Sequence, residues 1–398
     1  MGRLEYITAG ESHGPAQVVV VSGVPNGLAI DIRAINAELS RRQGGYGRGG
    51  RQNIEDDNAE VLTGVRNGHA IGSPITMKIA NKDSRLDDAT KTPPVHRPRP
   101  GHADLAGSVK YLTTDCRETL ERASARETVA RTAAGALAKL LLREVGIEAF
   151  AFVRSIGTAR TDASVTESNW HAMRSARDAS ETYCPDEAAS AAQKAIIRQA
   201  KIDQDTVGGV IECHVFGCPP GLGSCMDWRD RLDARLAAAV MGIQAIKGVE
   251  IGLGFEAASR PGSKVHDPIR YDESKRDSHP AIGFRRDTNN AGGTEGGMTN
   301  GEPVVVRAAM KPISTLLRGL PSLDLRTRAA ETSQYERSDV CAVSAASVVV
   351  ENVVAFEIAR VVCDKFGADT MVEFRSNFQR FMEFVRMMPI EGQGTQMA

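Results

Sequence analysis

HRPRPGHADLAGSVKYLTTDCRETLERASARET, residues 96–128, places His102 in a loop behind two Arg–Pro pairs and then carries Arg122, Ser124 and Arg126. Each proline fixes its own φ and biases the residue before it towards extended geometry, so the loop is expected to be stiff. A fixed imidazole among guanidiniums suits proton transfer on a multiply charged anion. The same residues also fit a surface loop ahead of a solvated helix, because arginines at helical spacing are common. From Arg117 the pattern predicts one helix to Val145, with an apolar stripe of Leu120, Ala123, Ala130, Ala133, Leu137, Leu140 and Leu141. Gly146 supplies the stop. The small residues Ala133, Ala134, Gly135, Ala136 and Ala138 imply close packing against another element.

Working outward, GESHG (10–14) flanks Ser12 and His13 with glycines, which lets the backbone pass close to a ligand. Gln17–Ser22 is β-branched and reads as a buried strand. Asp31–Arg42 reads as a helix running into RRQGGYGRGGR (41–51), either a basic loop that folds over an anion or an RNA-binding tract. Pro74–Ile79, Ala149–Val153, Val207–Phe216 and Val304–Met310 read as strands. Thr161–Lys201 reads as mostly helical, and Asp230–Lys247 as a helix ended by Gly248. Val343–Phe366 and a segment to about Met387 read as the last helices. Residues 261–290 read as a polar surface excursion. Paired glycines in NNAGGTEGGMTNG (289–301) could cradle a phosphate, and KPIST (311–315) offers a cation with two hydroxyls.

Composition narrows the classes. The chain has 398 residues, 41% apolar content and a formal net charge of -1, which argues against a general nucleic-acid binder. Arg outnumbers Lys by about three to one, a bias suited to bidentate grip on carboxylate and phosphate. The seven cysteines (116, 184, 213, 218, 225, 341, 363) lack metal-site spacing and read as reduced thiols, with no metal expected. The N-terminus has no apolar signal core and no window reaches membrane-spanning length, so a cytoplasmic protein with no membrane partner is expected. Neither a Walker lysine nor a strand–GxGxxG–helix unit is present. Bottom-up, the residues give lyase or transferase chemistry on an anionic small molecule.

Six motifs then point to a family. GESHG at 10–14, RPGHAD at 99–104, RASARET at 122–128, GG-x-x-GG-x-TNG at 292–301, KPIST at 311–315 and ERSD at 336–339 follow one another. In this order and approximate spacing the sequence resembles chorismate synthase over nearly its whole length. The resemblance implies conversion of 5-enolpyruvylshikimate 3-phosphate to chorismate by trans-1,4 elimination, with reduced FMN and no net redox change. It implies catalytic roles for His13, His102, Asp339, Ser12 and Ser124, and substrate contacts from Arg42, Arg48, Arg126 and Arg337. Its FMN contacts would be Arg122, Ala123, Ser124, Gln244, Ala245, Gly296, Lys311, Pro312, Ile313, Ser314, Thr315 and Arg337. Gln244 replaces a frequent Asn, and residues 112–117 depart from a stretch usually richer in His and basic residues. The reductant is left open: NADPH acting on bound FMN, as in fungal members, or a separate flavin reductase.

Alternating strands and helices alone suggest α/β with a parallel sheet. The resemblance implies instead an α+β fold, a β-α-β sandwich with helices between two antiparallel sheets, as one domain over residues 1–398 in a homotetramer. An internal echo suggests a pseudo-repeat: GVRNG (64–68) before Pro74 matches GMTNG (297–301) before Pro303. Each is followed by a Glu–Arg pair, Glu121–Arg122 and Glu336–Arg337.

Overall fold

The computed structural model describes residues 3–49, 54–336 and 339–387. Gly50 and Arg51 of the basic tract, and Arg337 of ERSD, lie outside the described residues.

Two antiparallel sheets form the outer layers. The first joins β1 (Glu5–Ala9), β2 (Ala16–Ser22), β3 (Ala59–Thr63) and β4 (Ile75–Ala80) in the order β1-β2-β4-β3. The second joins β5 (Glu148–Ile156), β6 (Ala159–Arg160), β7 (Gly209–Phe216), β8 (Ile246–Ile251) and β9 (Val304–Met310) in the order β8-β9-β7-β5-β6. Every pairing in both is antiparallel, so the parallel arrangement suggested by alternation does not form. β2 is half-buried rather than buried: Val19 and Val21 face inward while Val20 is exposed, the period-2 signature of a sheet with one covered face.

The helices are α1 (Ile32–Gln43), α2 (Asp104–Lys110), α3 (Arg117–Ala123), α4 (Thr128–Arg143), α5 (Trp170–Ala179), α6 (Glu187–Ile202), α7 (Leu232–Met241), α8 (Val343–Phe366) and α9 (Met371–Arg386). α4 packs on β2 and β4, α8 packs on β5 and β7, and the two helices pack on each other with α1 alongside. Both are apolar almost all round, which is how a helix enclosed on every side reads. Gly135 is required at their contact, since a Cβ there would lie 2.2 Å from the Asn352 carbonyl oxygen. The two sheets share a layout. β2–α1–β3 matches β7–α7–β8, and four strands of the second sheet in the order β5-β7-β9-β8 match β1-β2-β4-β3.

Two predicted helices come out differently, and a third segment, mostly helical as expected, holds two helices. Residues 117–145 do not form one helix. Ser124 is extended (φ -61°, ψ 142°), separates α3 from a 3-10 turn at Ala125–Glu127, and accepts from the Arg126 N–H through Oγ. A short hydroxyl side chain competes for the backbone in this way and favours a cap over a helix interior. Residues 230–247 keep a helix only to Met241. Ala245 takes φ +67° and Ile246 starts β8, with Gly248 inside the strand beside a bulge. The 161–201 segment divides into α5 and α6, the second capped by Asp186, whose side chain accepts from the Ala189 N–H.

Candidate active site

A cavity of about 550 Å³ is lined by the 10–14 turn, the end of α1, the 99–103 loop, the Ser124 break, the Gln244–Ala245 turn, KPIST and the start of α8. Six cations, Arg42, Arg48, Arg85, Arg99, Arg126 and Lys311, face it against the carboxylates Glu55, Asp83, Glu336 and Asp339. That volume and imbalance suit an anionic small molecule.

His13 reaches the cavity from the turn before β2. Its Nδ1 lies 2.9 Å from Glu121 Oε1, and its backbone N–H donates to Glu121 Oε2 at 2.8 Å. An ionised carboxylate only accepts, so the Nδ1 proton sits on the ring. Burial works to raise the Glu121 carboxyl, but the His13 hydrogen bonds and the His13 and Arg117 charges hold it below the usual range. Ser12 lies next to His13, and Ser124 Oγ donates to Ser12 Oγ at 3.1 Å. The break in the helix therefore serves the site, because it turns Ser124 towards the 10–14 turn.

His102 is held within its own motif. Asp104 Oδ1 receives the His102 Nδ1 proton, and Arg99 Nη2 converges on the same oxygen at 3.1 Å. Asp104 Oδ2 accepts from Arg99 N at 3.0 Å and from Arg99 Nε at 2.8 Å. Burial would raise this carboxyl, but the bonds and charges of His102 and Arg99 hold it well below the usual carboxylate range. Arg99 Nη1 donates to Thr315 Oγ1 at 3.0 Å and Lys311 Nζ donates to the Gly101 carbonyl, so RPGHAD and KPIST brace each other.

The arginines form a second group. Arg126 donates to Asp57 Oδ1 at 2.6 Å and to Asn81 Oδ1 at 2.8 Å. Arg42 donates to Thr128 Oγ1 and to the Ala125 carbonyl, with Asp57 Oδ2 3.5 Å away. Burial pushes the Arg42 guanidinium down to about 9, with Asp57 opposing and Arg126 and Arg48 adding to the shift. It remains charged at neutral pH. Arg48 pairs with Asp339 Oδ2 at 2.7 Å, and Asp339 Oδ1 accepts from the Gly49 N–H at 2.6 Å. Arg41, next to Arg42, turns the other way and donates to Glu351 on α8. Residues 41–49 of the basic tract thus fold into the structure and are buried or half-buried.

A chorismate synthase family model matches residues 4–363. The chain belongs to the chorismate synthase family. Relatives named chorismate synthase include one from Desulforudis audaxviator, 50% identical over 392 residues and covering 96% of this chain and 98% of the relative. One from Geobacter sulfurreducens is 51% identical over 393 residues, covering 96% and 99%. A solved structure titled as a crystal structure of chorismate synthase is also similar, with a TM-score of 0.78 and 40% identity. It covers 97% of this chain and 99% of the solved one.

The residues that the family resemblance singled out are mostly brought together. Ser12, His13, Arg42, Arg48, His102, Ala123, Ser124, Arg126, Gln244, Ala245, Lys311 to Thr315 and Asp339 all line the cavity. Two expected FMN contacts do not line it. The Arg122 guanidinium turns back to the Thr8 and Gly10 carbonyls at 3.0 and 2.9 Å. Gly296 sits in the hairpin turn between Thr294–Glu295 and Met298–Thr299. The glycines there serve backbone contact: a Cβ on Gly297 would meet the Arg231 side chain at 2.6 Å, and one on Gly293 the Pro303 carbonyl at 2.4 Å. Motif reading missed Glu121, Asp57 and the 81–92 loop, where Arg85 and Leu86 donate their backbone N–H groups to the His13 carbonyl. In the sequence Glu121 appears as half of the Glu121–Arg122 echo, and the charged run of residues 82–91 gives no sign of which charge meets His13.

Proposed function

We propose that the chain converts 5-enolpyruvylshikimate 3-phosphate to chorismate by trans-1,4 elimination of phosphate, using reduced FMN without net redox change. This is carbon–oxygen lyase chemistry at the last shared step towards the aromatic amino acids. One observation carries the reading: two histidines, each bonded to a buried carboxylate, open on one cavity with an excess of arginine. A substrate bearing two carboxylates and a phosphate fits that excess, and a phosphate-bearing cofactor adds to the demand.

The residues fit a flavin. Gln244 donates from Nε2 to Glu127 Oε2 at 3.1 Å while its buried Oε1 has no partner among the described residues, an acceptor ready for a ring N–H. Ala123, Ala342, Ala345 and Ala346 line the cavity with small side chains. Ala123, Ser124, Gln244, Ala245 and KPIST would hold the cofactor. When bound, reduced FMN supplies electron density to C–O cleavage and recovers it as the hydrogen leaves carbon 6.

His13 protonates the departing phosphate. His102, fixed by Asp104, would hold a proton for the bound cofactor. Asp339, oriented by Arg48 and Gly49, assists proton removal. Arg42, Arg48 and Arg126 hold substrate anions, and the family resemblance adds Arg337 both to them and to the flavin contacts. Charge placed before the reaction in a site shielded from water stabilises the transition state more than mobile solvent does. The repeated strand order supports a β-α-β sandwich with an internal pseudo-repeat, as one domain. A homotetramer in the cytoplasm, with NADPH or a separate flavin reductase as source of electrons, completes the reading. No helix among the described residues is long and apolar enough to cross a membrane.

The test is phosphate release from 5-enolpyruvylshikimate 3-phosphate under anaerobic conditions, with chemically reduced and then oxidised FMN. Release with reduced FMN alone, together with chorismate absorbance, is the expected result. Absence of release in both arms overturns the proposal.

A further inference from the structure

We infer that Glu121 is a positioning residue for His13, which keeps the ring protonated at Nδ1 and stabilises its imidazolium so that Nε2 can deliver a proton to the departing phosphate. The inference rests on the function proposed above.

The geometry is more elaborate than a turn needs. Glu121 is 1% exposed and holds both residues of the Ser12–His13 pair. Its backbone carbonyl accepts from the Ser12 N–H at 3.1 Å, and its Oε2 accepts from the His13 N–H at 2.8 Å. Its Oε1 lies 2.9 Å from His13 Nδ1. Backbone and ring are thus fixed by one side chain reaching from α3, 108 residues away in sequence. Arg117 stands behind it at 3.4 Å, but that guanidinium also serves the Pro93 carbonyl at 2.8 Å and Glu336 at 3.3 Å. The charge on Glu121 is therefore only partly answered by Arg117 and is available to the imidazole.

The other side of the ring faces the cavity. Arg85 Nη2 is 3.4 Å and Asp83 Oδ2 is 3.8 Å from His13 Nε2, both carried by the 81–92 loop, and Arg85 Nε is 3.1 Å from Asp83 Oδ1. The ring is therefore faced by a carboxylate at Nδ1, and by a cation and a second carboxylate at Nε2. A phosphate oxygen arriving at Arg85 meets the Nε2 proton. As the substrate C–O bond breaks, its electron pair leaves with the phosphate oxygen. The Nε2–H bond breaks as an O–H bond forms; the carbon 6 proton leaves with the help of the Asp339 carboxylate, and the C–H electron pair passes into the new carbon–carbon double bond. The imidazole left behind is neutral and still carries its Nδ1 proton against Glu121. Without the carboxylate, the imidazolium would lose its partner on the protein side.

Glu121→Gln tests this, because the amide oxygen can still accept from the His13 N–H while the charge is gone. Two measurements are made on the full chain. In the ligand-free protein, nitrogen-15 shifts of the His13 ring, assigned by their loss in His13→Gln, are followed against pH. With the carboxylate charge gone, the Glu121→Gln ring is expected to give up its proton more readily than the wild-type ring. In the anaerobic phosphate-release assay, kcat is expected to fall about tenfold on the alkaline side and to recover as the pH is lowered past the new midpoint. KM for the substrate and FMN affinity stay near wild type. Equal ring midpoints in the two proteins, or a kcat deficit of the same size at every pH, would make Glu121 a structural brace and overturn the inference. Wild-type protein that releases no phosphate would defeat the proposed function, while the ring titration would still decide the role of Glu121.

Discussion

His13 and His102 sit on glycine-flanked loops of one cavity, and each sets Nδ1 against a buried carboxylate. The carboxylates arrive by different routes. Asp104 lies two residues beyond His102 and also accepts three bonds from Arg99, so ring, acid and guanidinium form one local unit at the start of α2. Glu121 comes to His13 from α3, across the contact between the 10–14 turn and the helix layer. A local unit can form wherever its loop folds. A distant pair exists only once both elements have packed, so the His13 site depends on the tertiary structure in a way that the His102 site does not.

The sharpest way to break this comparison is to remove each carboxylate in turn. Asp104→Asn leaves the buried Arg99 guanidinium without its counter-charge and is expected to cost about 3 kcal/mol of stability, the scale of a broken buried pair. Glu121→Gln, whose amide still accepts from the His13 N–H, is expected to cost only about 1 kcal/mol. Urea unfolding of the two variants measures the difference, and equal losses would remove the distinction. Removing the rings comes next. His13→Ala and His102→Ala should each lower turnover by about a hundredfold, the range of a lost general acid–base group. Wild-type turnover in either variant takes that ring out of the chemistry.

A pH series sharpens the comparison further. The Asp104 carboxyl is held below its ordinary value of 3.8. Its contribution to stability is therefore fully present above that value and is lost as the pH falls through the lower folded value. Between neutral pH and the acid range, Asp104→Asn should show a flatter dependence of the urea midpoint on pH than wild type. A parallel curve would mean that Asp104 adds no charge-dependent stability. The smallest effect is expected at neither histidine. Gln244→Leu removes the unpartnered acceptor and should weaken FMN binding by about tenfold, the scale of one hydrogen bond. A change below twofold in a flavin titration would place Gln244 outside the cofactor contacts.

How much could be read beforehand follows the same division. β9 and α8 are found at Val304–Met310 and Val343–Phe366, the spans their periodicity predicts, because side-chain period is a local property. The helix over 117–145 looked continuous, because nothing near Ser124 reveals that Ser12 will draw its hydroxyl aside. The glycine loop at 289–301 looked like a phosphate cradle. In the fold Gly293 and Gly297 also admit the Pro303 backbone and the Arg231 side chain, neighbours that only the folded chain supplies.

By itself, then, the sequence determined which segments could be strands or helices, which residues could carry protons and anions, and which family the motifs resemble. Tertiary structure decided that the sheets are antiparallel and that Arg42 faces the cavity while Arg41 faces Glu351. It also decided that His13 meets Glu121 and that Arg126 meets Asp57. The physical reason is range. Periodicity and turn chemistry act over a few residues, whereas the charge felt by a buried group depends on whatever packing brings within a few ångströms, however far away in the chain it began.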